Sequence, residues 1–246
     1  DVFASPDAVT GGFAMPGGRA VLQDDGSLRV SGRWQWGSGT DHCTHIGGRV
    51  LVVDEAGEPR PLPDGSGVVF AFFDRDDVTL LDTWHVSGLK GTASTDYEVA
   101  DALVPSGRWV DLFAGRPPVV DGPLARLPFA GFLATGVASV LLGLGRRAVD
   151  ELVAVGEKRP SQSSKGLAER AVVQAQLAEA DAAVRSGRAF LRQVLADCWT
   201  SAQAGEAMGD EEKRLLRLAS TTAARQAVHA VDLCYDAGGG SSVYET

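Results

Sequence analysis

The sequence predicts an α+β chain. A β-barrel or sandwich spans residues 1–113, a linker spans 114–123, and an antiparallel bundle of long helices fills 124–246. Three observations predict this. The first half carries short alternating apolar runs between turn signals. The second half carries apolar residues at helical spacing over long stretches. Between them lies Ala114-Gly115-Arg116-Pro117-Pro118-Val119-Val120-Asp121-Gly122-Pro123, whose prolines and glycines suit neither regular structure.

The strand candidates come first. Ser27–Val30, Val50–Val53, Val68–Phe73 and Tyr97–Val104 alternate or run apolar over strand lengths, and Asp25-Gly26 is a hairpin signal. Beyond the linker, Leu133, Val137, Val140, Leu141, Leu144, Ala148 and Leu152 recur on one predicted helical face, ended by Arg159-Pro160-Ser161. A second helix is predicted from about residue 167 to 201, with Val173, Leu177, Ala180, Val184, Leu191 and Leu195 inward. A third runs from Asp210 to Asp236 and stops at Gly238-Gly239-Gly240. Small faces (Ala175, Ala178, Ala182, Ala183; Ala223, Ala224, Ala227, Ala230) predict close helix contact. Three long helices leave a groove, so the bundle is expected to gain a fourth helix or a second subunit.

Composition narrows the function. A net charge of −9, from 23 Lys and Arg against 32 Asp and Glu, excludes a phosphate-backbone partner such as nucleic acid. Cys43, Cys198 and Cys234 are an odd number without short spacing, which predicts no disulfide framework and a cytoplasmic setting. The stretch from Phe129 to Leu144 is interrupted by Gly131, Gly136 and Gly143, so no membrane span is expected.

Two segments carry the chemistry. Ser31-Gly32-Arg33-Trp34-Gln35-Trp36-Gly37-Ser38-Gly39 and Asp82-Thr83-Trp84-His85-Val86-Ser87-Gly88-Leu89-Lys90-Gly91-Thr92-Ala93-Ser94 each set tryptophan beside small residues. Gly admits close backbone approach, Ser a short hydroxyl, and indole a rigid apolar wall, which together suit a flat aromatic ligand. Trp34 and Trp36 stand two apart on one strand, so they are expected on one face. Trp84 is the candidate border of a substrate cavity.

These motifs resemble the acyl-CoA dehydrogenase superfamily, with the closest likeness to its two-component flavin-dependent monooxygenases (oxygenase components). Gly12–Ala20 looks like the loop that edges the flavin ring, which puts Pro16 and Gly17 at the cofactor. Ser31–Gly39 is similar to the monooxygenase strand end, and the resemblance implies Trp34, Trp36, Gly37, Ser38 and Gly39 as cofactor contacts, with Ser38 on the N5 side. Gly88–Asp96 is similar to the family's "GLRGTGSxD" segment, with Lys90 and Ala93 as departures, and implies Thr92 and Ser94 at substrate. By the same resemblance, Arg159 reaches flavin phosphate and Gly238, Gly239 and Gly240 form a turn that contacts a partner subunit's cofactor. The family also has a helical domain ahead of the barrel and a further helix past the glycine turn. This sequence contains neither, so it is expected to be a fragment, a processed product or a remnant of a longer polypeptide.

What the resemblance implies is an oxygenase component that takes reduced FMN or FAD from a separate flavin reductase. With oxygen it would hydroxylate a small organic substrate, as a homo-oligomer, a dimer of dimers (homotetramer). Ser38 is the leading catalytic candidate. His42, beside its loop, is the proton-donor candidate. The alternatives are an FAD-dependent acyl-CoA dehydrogenase and a truncated, non-catalytic assembly partner. His42-Cys43-Thr44-His45 lacks a second Cys/His pair, so no metal is expected. His85 and His229 read as packed or surface residues, and Asp74-Arg75-Asp76-Asp77 as a solvated turn.

Overall fold

The structure, a computed structural model, describes residues 2–112, 120–157 and 166–243. Most of the predicted linker, 114–119, lies outside the described residues. The chain divides into two compact units, Asp1–Pro117 and Pro118–Thr246.

The first unit is a seven-stranded sheet in the order β5-β6-β2-β1-β3-β4-β7. Its strands are β1 (Thr10–Leu22), β2 (Leu28–Gly37), β3 (His45–Val53), β4 (Val68–Asp74), β5 (Val78–Leu81), β6 (Thr95–Val104) and β7 (Trp109–Val110). Only the β1–β3 pair is parallel among these pairings. Inward residues of β1 to β6, among them Leu28, Val30, Ile46, Val50, Val69, Phe73, Val78 and Tyr97, merge into one core cluster. That is what alternation predicts when one face of a sheet is buried.

The segment expected as a loop, Gly12–Ala20, is instead the middle of the central strand β1. Its glycines hid the alternation, and its position between β2 and β3 imposes the strand. Register shifts at Phe13/Pro16 and Pro16/Gly18 absorb the proline, which a central strand tolerates only at a bulge. Gly17 and Gly18 are needed there, since a Cβ would fall 2.6 Å from the Trp34 ring at either position. Trp34 lies under them, 1 % exposed, stacked on Tyr97 at 5.3 Å and donating its indole N–H to the Arg49 carbonyl.

The second unit contains α1 (Phe129–Gly156), α2 (Ala171–Gln203) and α3 (Asp210–Gly238). Interior glycines do not break α1; Gly131 and Gly145 let another helix come close, while Gly136 and Gly143 face open space. A Cβ on Gly145 would lie 3.3 Å from the Ala227 Cα, and one on Gly187 3.3 Å from the Ala223 Cα. Ala223, Ala227 and Ala230 of α3 are buried, as their small-residue pattern predicts, whereas Ala175, Ala178 and Ala182 are exposed. The start of α3 is fixed by Glu212, whose carboxylate accepts the Gly209 N–H at 2.8 Å and the Ser201 hydroxyl at 2.7 Å.

The inward face of α1 differs from expectation. Thr135, Ala138, Leu142, Gly145, Val149 and Leu152 are buried, while Leu133, Val137, Val140 and Leu144 are half or more exposed. The helix is apolar on two sides: of the periodic residues of the sequence, Leu133, Val137, Val140 and Leu144 belong to the outer one, while Leu141, Ala148 and Leu152 pack inward as expected. For the same reason α1 contains an 18-residue window of mean hydropathy 1.5, long and apolar enough to cross a membrane by length and composition, contrary to the sequence expectation. The glycines counted there as interruptions stand inside a continuous helix.

Candidate functional site

The two predicted segments meet at one rim of the sheet. β2 ends in Trp36 and Gly37, continues through Ser38 and Gly39, and enters a single 3-10 turn, Thr40–His42. The second segment leaves β5 and returns through the turn Lys90–Thr92 into β6. The Gly39 N–H donates to the Thr92 carbonyl at 2.9 Å, which joins the two loops. Side chains join them again, with Ser38 Oγ 2.7 Å from Ser94 Oγ, and Ser94 Oγ 2.6 Å from Thr92 Oγ1.

Backbone strain marks the same place. Among the described non-glycine residues, positive φ occurs at Trp36 (58°), Leu89 (58°), Ala93 (43°) and Asp101 (57°), and the first three stand on this rim. Each such residue costs on the order of 1–3 kcal/mol and persists only where neighbours over-determine it. The Leu89 carbonyl shows how. It receives the Trp84 indole N–H at 3.1 Å, the Thr92 N–H at 3.1 Å and the Thr92 hydroxyl at 2.9 Å. A further tie runs beneath the rim, where Arg33 pairs with the buried Asp96 carboxylate at 3.0 Å. Asp96 in turn donates its N–H to Thr83 Oγ1.

Trp36 and Trp34 do not share a face. The left-handed backbone at Trp36 and the register shift before Gly37 turn its indole outward, 55 % exposed, where Phe13 meets it edge-on at 5.5 Å. Trp34, expected on the cofactor wall, is therefore a core residue and has no exposed face to offer. Gly37 also serves packing, since a Cβ there would lie 2.8 Å from the Tyr97 ring. Ser38, Pro16 and Gly17 are exposed and Gly39 is half-buried with φ 71°. The Ser38 N–H is spent on the Trp36 carbonyl.

Thr92 and Ser94, expected at substrate, face the loop junction instead, and Ser94 is buried. The adjoining cavity, about 370 Å3, is lined by Asp41, Leu80, Leu81, Asp82, Trp84, Lys90, Ala93 and Thr95. Trp84 is one of its walls. His42 is exposed on the rim turn. Below it, burial pushes the Cys43 thiol up, so it stays protonated and donates to the Gly39 carbonyl at 3.3 Å. Among the described residues no group of three or more His, Cys, Asp and Glu side chains gathers as a metal site.

Arg159 lies outside the described residues. Gly238 closes α3, and Gly239, at φ 56°, turns the chain into the 3-10 turn Gly239–Ser242, with Ser242 Oγ donating to the Tyr235 carbonyl. Sequence reasoning missed the Arg33–Asp96 pair and the Leu89 anchor. Both belong to singled-out segments, but an ion pair across 63 residues and a strained leucine leave no local signal.

The rim fits one edge of a flavin ring. It offers an exposed indole, an exposed hydroxyl on a close-approach glycine loop, and a bulged glycine strand alongside. Residues 135–246 match the profile of the acyl-CoA dehydrogenase C-terminal domain. Over 242 residues, 98% of this chain, the sequence is 34% identical to the indole-3-acetate monooxygenase of Pseudomonas putida. It is 26% identical over 249 residues to the oxygenase subunit HsaA, a flavin-dependent monooxygenase of Rhodococcus jostii, covering 96% of this chain. The chain spans 59% and 61% of those relatives' lengths. The solved structure of XiaF from Streptomyces sp., in complex with FADH2 and glycerol, superposes with a TM-score of 0.88 at 23% identity, covering 100% of this chain and 62% of that one. At that identity the likeness establishes the fold.

Proposed function

We propose that the chain forms the barrel and bundle of the oxygenase component of a two-component flavin-dependent monooxygenase of the acyl-CoA dehydrogenase superfamily, a reading supported by the C-terminal domain match and by the named relatives. The observation that carries this reading is the strained rim at Ser38, held by two loops that resemble the monooxygenase motifs. Reduced FMN or FAD, delivered by a separate reductase, would supply the electrons that activate oxygen. Ser38 would hold the ring edge at N5, Trp36 and Phe13 would keep that edge dry, and the cavity beside Trp84 would orient a small organic substrate. Exclusion of water matters because oxygen activated in a wet site is lost as hydrogen peroxide. His42 is the candidate proton donor at the rim, and Arg159 with the Gly238–Gly240 turn the candidate phosphate contacts.

We read the outer face of α1 as a contact between subunits of a homo-oligomer, a dimer of dimers. Phe132, Leu133, Val137, Val140 and Leu144 form an exposed apolar stripe, and contiguous apolar exposure of this kind is found at interaction surfaces. The ion pairs Arg146–Asp150 and Arg147–Glu151 on the same helix suit an aqueous setting rather than a bilayer, and the three buried free thiols suit a reducing cytoplasm.

The test mixes reduced FMN or FAD with oxygen and indolic or phenolic substrates, and measures hydroxylated product and hydrogen peroxide per flavin oxidised. Ser38→Ala should divert about tenfold more flavin to peroxide, the loss expected for one transition-region hydrogen bond. Bleaching of bound oxidised FAD by an acyl-CoA, without hydroxylation, would instead establish a dehydrogenase.

A further inference from the structure

The hydroxyl row at the rim has a direction. Three contacts lie in series, Ser38 Oγ to Ser94 Oγ at 2.7 Å, Ser94 Oγ to Thr92 Oγ1 at 2.6 Å, and Thr92 Oγ1 to the Leu89 carbonyl at 2.9 Å. Three protons are available, one per hydroxyl. The carbonyl at the inner end has none to give. Every contact holds a proton only if Thr92 donates to Leu89, Ser94 donates to Thr92, and Ser38 donates to Ser94. The opposite direction leaves two oxygens facing each other at 2.9 Å with no proton between them. Ser38 therefore has its proton committed inward, and its exposed oxygen presents lone pairs.

The strained backbone makes this polarity durable. The Leu89 carbonyl is fixed by its left-handed φ and by the Trp84 indole and Thr92 N–H that share it. The Gly39 N–H to Thr92 carbonyl bond keeps the two loops in register, and the Ser38 N–H is already used by Trp36. At Ser38 the rim thus offers an acceptor, with neither the hydroxyl nor the peptide N–H left to donate.

We propose that Thr92 and Ser94 are positioning residues that fix Ser38 as a hydrogen-bond acceptor, and so make the rim prefer the reduced flavin, which carries a proton on N5, over the oxidised flavin, whose N5 is a bare lone pair. This deepens the flavin reading above and rests on it. The discrimination follows from pairing rules: a donor meets the Ser38 oxygen and gains a bond, while a second acceptor meets lone pairs and must reverse the row.

The experiment measures, under anaerobic conditions, the Kd of reduced and of oxidised FMN and FAD for the full chain and four variants, with hydrogen exchange of β2 and β6 as the check on folding. Wild-type protein should bind the reduced form at least tenfold more tightly, which for a two-electron couple raises the potential of the bound flavin by about 30 mV. Ser38→Ala should weaken the reduced form. Ser94→Ala and Thr92→Val free the Ser38 proton to point outward, so both should tighten the oxidised form, and the preference should fall about tenfold. Thr92→Ser keeps the hydroxyl and should restore it. A purely structural role would weaken both forms together in every variant, and that result overturns the proposal. A wild-type preference that Ser94→Ala and Thr92→Val leave unchanged also overturns it, while the flavin reading stands. Failure of wild-type protein to bind either form removes the flavin reading and the proposal with it.

Discussion

The two units bury their interiors by opposite means. The sheet fills its core with rings and branched chains, Trp34 against Tyr97 and Phe73, with the strand glycines cut away beneath them. The bundle removes side chains altogether at its seams, setting Gly145 and Gly187 against the backbone at Ala227 and Ala223. Large shapes packed over glycine fix a surface closely, and the strained loops stand on that part. A seam of small residues fixes only helix separation, and no non-glycine residue described in the helices has positive φ. The difference separates the two units, with backbone strain gathered on the sheet's rim and none at the described non-glycine residues of the helices.

Replacing the ring is the severest way to break that contrast. Trp34→Ala should destabilise the first unit by about 3–5 kcal/mol, by loss of transfer energy plus a cavity under Gly17 and Gly18. Hydrogen exchange should show the loss in β1, β2 and β6 and little change in α1 to α3. The converse change, Ala227→Leu, should cost about 1–3 kcal/mol by overpacking against Gly145, visible as faster exchange in α1 and α3 with the sheet intact. Loss of protection in both units from either variant would mean that they are not independently packed.

Acid gives the mildest probe. The Arg146 side chain lowers the Asp150 carboxyl below the usual carboxylate range, Arg185 and then Arg146 do so for Asp181, and the Ser201 hydroxyl with the Gly209 N–H does so for Glu212. In the sheet, Asp25 is lowered by Ser27. A depressed folded-state pKa contributes stability above the unfolded value and loses it as pH falls through the folded one. Melting temperature should therefore begin to drop below about pH 4, the ordinary carboxylate range, by a small amount because these groups are exposed. The drop should appear in the helices before the sheet; a first loss in the sheet would reverse the comparison.

Legibility in the sequence followed the same division. Val68–Phe73 and Tyr97–Val104 read as strands because one face is buried, and α2 and α3 read as helices because their inward residues repeat at helical spacing. β1 was hidden because its glycines serve Trp34 rather than any local alternation. The inward face of α1 was hidden because periodicity finds an apolar stripe without saying what covers it. The rim residues were legible as composition, but the outward turn of Trp36 and the inward turn of Ser94 depend on backbone angles that Gly-rich loops leave open. The Arg33–Asp96 pair needed the fold before it could be seen.

Tyr97 ties these observations to time. Its phenol oxygen accepts the Phe13 N–H across 84 residues and donates to the Gly47 carbonyl across 50, so one side chain closes three strands that the chain presents far apart. Such contacts are late in a folding reaction, because the loops they close must be ordered before any reward arrives. Ser94, the inner partner of Ser38 at the rim, stands just ahead of Tyr97, immediately before β6, so the geometry of the rim waits on those distant pairings.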